Sequence, residues 1–143
     1  MFSNTVEYAL RAAVCLASAY PSPLTTRCIA KATQVPHHYL SKILQTLSKA
    51  GVIVSVRGVG GGHVLGAQPS VIPVLRVVNA IEPVQRIRAC PLKLGDHAQG
   101  LCPLHHRLDA ILGQAEAAFA ATTLHELTSA PTVLCRASPK GLS

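Results

Sequence analysis

Ser55-Val56-Arg57-Gly58-Val59-Gly60-Gly61-Gly62-His63-Val64-Leu65-Gly66 sets an arginine and a run of glycines between two short β-branched segments. Glycine suits positions where the backbone takes positive φ or passes close to another surface. Val52-Ile53-Val54 and Val64-Leu65 read as strands, so the stretch is a hairpin with an irregular tip poor in side chains. Glycine-rich runs also cradle nucleotide phosphates, but no strand leads through these glycines into a helix and no Gly-Lys-Ser/Thr follows. Whether the hairpin is inert or a recognition element is decided by its neighbours.

Upstream, Asn4 followed by Glu7 has the pattern of a capping box. Val6, Ala9, Leu10, Ala13, Leu16 and Ala17 then repeat at helical spacing until Tyr20-Pro21-Ser22-Pro23 stops the helix. A short second helix starts after Thr25 and runs through Ile29 to about Thr33. The Gln34-Val35 turn leads to Pro36, suited to the first turn of a third helix. That helix carries Leu40, Ile43, Leu44 and Leu47 on one face, and Gly51 closes it. Its other face carries His37, His38, Ser41, Lys42, Gln45 and Lys49. A basic outer face also occurs on inert helices. Two helices joined by a tight turn, followed at once by an arginine-bearing hairpin, fit a helix-turn-helix with a wing. Double-stranded DNA is the expected partner.

The 143 residues suffice for one domain with a core of its own and one projecting element. A hydrophobic share of 49% excludes a disordered chain, and an aromatic share of only 3% suits a mainly α core better than a β-sandwich. The net charge of +7 is unevenly spread. Residues 1–58 hold Arg11, Arg27, Lys31, Lys42, Lys49 and Arg57 against the single acid Glu7, which places polyanion binding in the first half. The longest uncharged stretch, between Arg57 and Arg76, is broken by glycines and prolines, so no membrane partner is expected. The first residues lack a basic and apolar export pattern, and a cytoplasmic location is expected.

Downstream, Ser70 can cap a fourth helix with Pro73 in its first turn and Val74, Val77, Val78 and Ile81 on its buried face. The pattern breaks between Pro83 and Pro103, and a long helix follows from about Leu104. Its stripe of Leu108, Ile111, Leu112, Ala115 and Phe119 is too extended to be covered by a small N-terminal unit and reads as a homodimer seam. Leu124-His125-Glu126-Leu127 forms a last turn. The division expected is a winged helix-turn-helix domain over 1–82, a cysteine-containing sensor loop over 83–103, a dimerisation helix and terminal turn over 104–130, and a disordered tail over 131–143.

Five cysteines, an odd number, argue against a disulfide framework. Cys15 and Cys28 sit among apolar neighbours and read as small buried hydrophobes, and Cys135 receives no role. No Cys-x-x-C pair or nucleophile–base arrangement supports a thiol-redox enzyme.

Taken together, these residues resemble the bacterial winged-helix regulators of the IscR and NsrR type, the Rrf2 family, over about Asn4 to Leu127. The resemblance is carried by Glu7-Tyr8-Ala9-Leu10-Arg11, by Tyr39-Leu40-Ser41-Lys42-Ile43-Leu44 and by the hairpin quoted above. Ala80-Ile81-Glu82 and Thr123-Leu124-His125-Glu126-Leu127 add to it. It implies a homodimeric regulator, a repressor, with recognition helices in successive major grooves of a near-palindromic operator and the wing arginine, Arg57, in the minor groove. A guanidinium suits a narrow electronegative groove, and glycines such as Gly60 let the backbone approach phosphates. His37, His38, Tyr39, Ser41 and Lys42 are then the candidates for base edges and phosphates.

Many members of that family hold an iron–sulfur cluster on three loop cysteines, some with a histidine three residues after the last. Cys90 and Cys102 take the first and third places here and His105 the histidine place, while Asp96 stands in the middle. A carboxylate in place of a thiolate departs from the usual ligation. The resemblance leaves a ligand set of Cys90, Cys102 and His105 for a 2Fe–2S cluster, completed by Asp96, by His97, or by Glu7 from the partner subunit's first helix. The same donors would accept zinc, and an unliganded thiol loop is the third reading.

Overall fold

The computed structural model describes residues 2–88 and 101–128. Its elements are α1 (Asn4–Ala19), α2 (Thr26–Thr33), α3 (His37–Lys49), β1 (Ile53–Val56), β2 (Gly62–Leu65), α4 (Val74–Ile81), α5 (Pro103–Ala121) and α6 (Leu124–Thr128). This is the mainly α winged helix that the sequence predicts.

α1 is the axis of the core, with Ala9, Ala12, Ala13, Val14 and Leu16 fully buried. Its cap is Ser3 rather than Asn4: the Ser3 hydroxyl accepts the Val6 N–H at 3.4 Å. The Glu7 carboxylate is turned to Arg11 at 2.7 Å. Ser3 offers the same kind of acceptor one residue earlier, and a cation one turn on competes for Glu7. Cys15 is buried as expected, whereas Cys28 is only half-buried.

α2 starts where the Thr25 hydroxyl accepts the Cys28 N–H at 3.2 Å, and it ends at Gln34, whose φ of 60° turns the chain toward α3. Pro36 precedes α3 instead of entering it. Leu40, Ile43, Leu44 and Leu47 are buried as the spacing predicts, each stabilising the fold by roughly 1.5–3 kcal/mol.

β1 pairs antiparallel with β2, Ile53 opposite Leu65 and Val56 opposite Gly62, so the strands reach further toward the tip than the sequence suggests. Ile53 and Leu65 root the hairpin in the core while Val54 and Val56 face solvent. Two glycines are required here. A Cβ on Gly61 would strike the Val56 carbonyl, and one on Gly62 (φ +145°) would strike the Leu24 carbonyl. Beside them Leu24 and His63 exchange backbone hydrogen bonds of 2.9 and 2.7 Å, which pin the wing to the α1–α2 connection.

Beyond the wing, a Ser70-capped helix running through Pro73 does not form. Pro69–Val71 makes a single 3₁₀ turn and α4 begins after Pro73. Ile72 is extended, the conformation that a following proline favours, and this separates the two. Val74, Val77 and Val78 are buried, and Ile81 is half-buried.

α5 buries no residue fully. After it, the Leu124 N–H donates to the Ile72 carbonyl at 2.9 Å and Leu124 enters the same core as α1. The C-terminal turn thus ties α5 to the N-terminal helices while leaving its outer side open. Leu104, Leu108 and Ile111 are 64%, 41% and 52% exposed and lie along that side. Phe119, expected in the seam, instead packs against its own chain, edge to face with Phe2 at 5.3 Å. No helix among the described residues is long and apolar enough to cross a membrane.

Candidate nucleic-acid interface and cofactor loop

The outward side of α3 presents His37, His38, Ser41, Lys42, Gln45 and Lys49, all exposed, and the helix contains no acidic residue. Ser41 keeps its hydroxyl on its own helix, donating to the His37 carbonyl at 3.0 Å. Tyr39 is differently placed from the others. Its hydroxyl is 2.7 Å from Thr5 Oγ1, and its ring meets Tyr8 edge to face at 5.6 Å. Arg11 lies over the other partner of that pair, 6.0 Å from the Tyr8 centroid, and also holds Glu7. A relay of α1 side chains therefore fixes the first turn of α3. Tyr39 and Glu7 read as having separate roles, and no local pattern marks this link.

Arg57 stands just past β1, exposed, and Gly60 is exposed at the tip with φ +78°. Between wing and α3 lies an open cleft of about 350 Å³, walled by Ser41, Gln45, Ser48 and Lys49 on one side and by Thr26, Ser55 and His63 on the other. Burial pushes the His63 imidazole below its ordinary pKa. His63 is a site residue that the sequence reading left without a role. The available signal was its position directly across the hairpin from Ser55, which becomes visible only once the register is known.

On the loop side, Cys102 is the residue that precedes α5, and its Sγ lies 3.2 Å from Nδ1 of His105 in the first turn. The structure thus brings these two candidate ligands together. Cys90, Asp96 and His97 lie outside the described residues, as do Cys135 and the tail. Glu7 stays with Arg11, and among the described residues no group of three or more His, Cys, Asp or Glu side chains converges within one chain.

Two packed helices with a tight turn, an exposed cationic second helix and a glycine-tipped hairpin define a winged-helix DNA-binding domain. The family model described as "Iron-dependent Transcriptional regulator" matches residues 2–130. The chain belongs to this family, Rrf2, and is a DNA-binding transcription regulator, not an enzyme. It is 32% identical over 130 residues to a protein of Aquifex aeolicus named as an HTH-type transcriptional regulator, covering 89% of this chain and 90% of that one. It is 31% identical over 140 residues to the HTH-type transcriptional regulator NsrR of Geobacillus kaustophilus, covering 92% and 95%. Among solved structures, CymR, the global cysteine regulator of B. subtilis, superposes with a TM-score of 0.75 at 24% identity, covering 90% of this chain and 96% of that one. That likeness shows the fold.

Proposed function

We propose that the chain acts as a homodimeric repressor in the cytoplasm, with α3 in the major groove and Arg57 in the minor groove of a near-palindromic operator. We further propose that a 2Fe–2S cluster on the 83–103 loop sets its affinity, linking transcription to redox, iron or nitric oxide status. The observation that carries the DNA reading is the shared outward aspect of the acid-free face of α3 and the Arg57 wing. The open side of α5, with Leu104, Leu108 and Ile111 uncovered, supports the dimer. A near-palindromic operator demands reading helices about one DNA turn apart, an arrangement a symmetric pair of protomers would supply.

The Cys102 Sγ and His105 Nδ1 atoms lie 3.2 Å apart at the start of α5, a thiolate and imidazole of the kind that would bind an iron–sulfur cluster or zinc. Cys90, Cys102 and His105 would hold the cluster, with Asp96 or the partner subunit's Glu7 as the fourth contact. When bound, the cluster supplies a charge and a set of bonds that oxidants or nitric oxide can remove. The chain's own part is to hold the donors at the start of α5, the helix whose other face meets the second copy.

Iron and sulfide assays on anaerobically purified protein, with visible absorbance, test this. Iron, sulfide and colour lost together in Cys102→Ala, with altered operator affinity, are the result expected. Zinc without iron or sulfide would replace the cluster by a zinc site. Metal-free protein with unchanged operator binding would leave only a thiol loop.

A further inference from the structure

His63 sits where the wing, α2 and α3 meet. Its Nε2 lies 3.1 Å from Thr26 Oγ1 at the start of α2, and its Nδ1 lies 3.5 Å from Ser55 Oγ on β1. The backbone of the same residue is held by both hydrogen bonds to Leu24. Across the cleft stand Ser41, Gln45, Ser48 and Lys49 of α3. Among the described residues, Lys49 is the one charged side chain lining this cleft apart from the titratable His63, and no carboxylate lines it.

A neutral imidazole donates from one nitrogen and accepts at the other, whereas an imidazolium donates from both. A hydroxyl can do either, so the ring can gain a proton without losing Thr26 or Ser55. Once it has, both hydroxyls must accept from the ring, and their own hydrogens turn away from it. Two hydroxyl donors and the Lys49 ammonium then serve one cleft, a set suited to an oxyanion.

We propose that this cleft seats a phosphate of the DNA backbone, with His63 as the titratable residue that turns Thr26 and Ser55 toward it. This rests on the docking of α3 and the wing proposed above, and adds the phosphate and its proton. Burial disfavours the charged ring in the free protein, while a phosphate delivered by the duplex favours it. Duplex binding therefore takes up a proton, and affinity rises as pH falls, about tenfold for each unit by which DNA raises the His63 pKa.

The test is a proton NMR titration of the His63 ring, assigned with His63→Gln, in the full chain alone and with a mixed-sequence duplex of about three helical turns. The expected result is a rise in its pKa of about one unit on adding duplex. Affinity for the same duplex is measured by anisotropy between about pH 7.5 and 5.5, in a His37→Gln/His38→Gln background that removes the other histidines of this face. A gain of about fivefold at the acid end, absent after His63→Gln, is expected, because the ring is still titrating within this window. Thr26→Val, which keeps the ring, should lose most of that gain, so a poorly folding His63→Gln does not decide the matter alone. A pKa unmoved by duplex while α3 amide signals shift would overturn the phosphate seat and leave the docking intact. Binding that shifts neither α3 nor wing signals would overturn both. An affinity loss in His63→Gln that is equal at every pH would make the residue a structural strut and also overturn the proposal.

Discussion

Arg86 grips Asp109 at two points, Nε and Nη2 each donating to a different carboxylate oxygen at 2.8 Å. The Ile87 N–H donates to the same carboxylate, also at 2.8 Å. The guanidinium lies against Gly113, where a Cβ would come within 3.0 Å of its carbon and two of its nitrogens. A forked pair is more particular about geometry than a single contact. Here it fastens the chain leaving α4 to α5, the helix that carries His105 and follows Cys102.

That pair should be visible in acid. The Arg86 guanidinium beside Asp109 holds its carboxyl at about 2, against an ordinary value of 3.8. Between those values the unfolded chain binds more protons than the folded one. The pair's contribution is therefore complete above the ordinary value and is lost as pH falls through about 2. Thermal melts of Asp109→Asn should show a shallower decline across this window than the unsubstituted chain. Parallel declines would contradict the pairing.

Gly62→Ala should displace the wing. The new methyl meets the Leu24 carbonyl and demands a φ of +145° from an alanine, a strain of roughly 1–3 kcal/mol. We expect a lowered Tm and weaker DNA binding, with loss of the protection of the His63 and Leu24 amides in hydrogen exchange. Unchanged protection would mean that the bridge does not hold the wing.

Local patterns made the helix-turn-helix and its wing legible. Leucine spacing on α3, glycines beside Arg57 and the cap at Thr25 each act within a few residues. What escaped was tertiary. Thr5–Tyr39, Thr26–His63 and Arg86–Asp109 join residues 34, 37 and 23 positions apart, and no periodicity marks such partners. The Ser70 cap failed for a local reason instead, since Pro73 keeps Ile72 extended and α4 starts afresh after it. Leu124 read as part of a terminal turn, yet it is a fully buried core residue.

Ile111→Glu should break the dimer. Ile111 is 52% exposed in the single chain, so the protomer has little reason to unfold. In the proposed seam the substitution buries an unpaired charge, at a cost of about 3–5 kcal/mol. Light scattering should report a monomer with unchanged circular dichroism. A persistent dimer would place the seam elsewhere.

Lys42→Ala should weaken binding to every duplex about equally and lower the slope of log affinity against log salt by about 1, as for one lost phosphate contact. Lys42 is exposed on α3 beside the face that would enter the groove. A loss confined to certain sequences would put it on a base edge instead.

The most direct measurement compares Arg57→Ala with the unsubstituted chain on an operator selected from random duplexes, at moderate salt and with the fold verified by circular dichroism. Arg57 stands exposed at the root of the glycine tip, next to a strand whose register is fixed by the core. We expect affinity to fall by roughly 1–3 kcal/mol, with relaxed preference at the bases under the wing. Undiminished affinity and unchanged preference would contradict a DNA interface built from α3 and the wing.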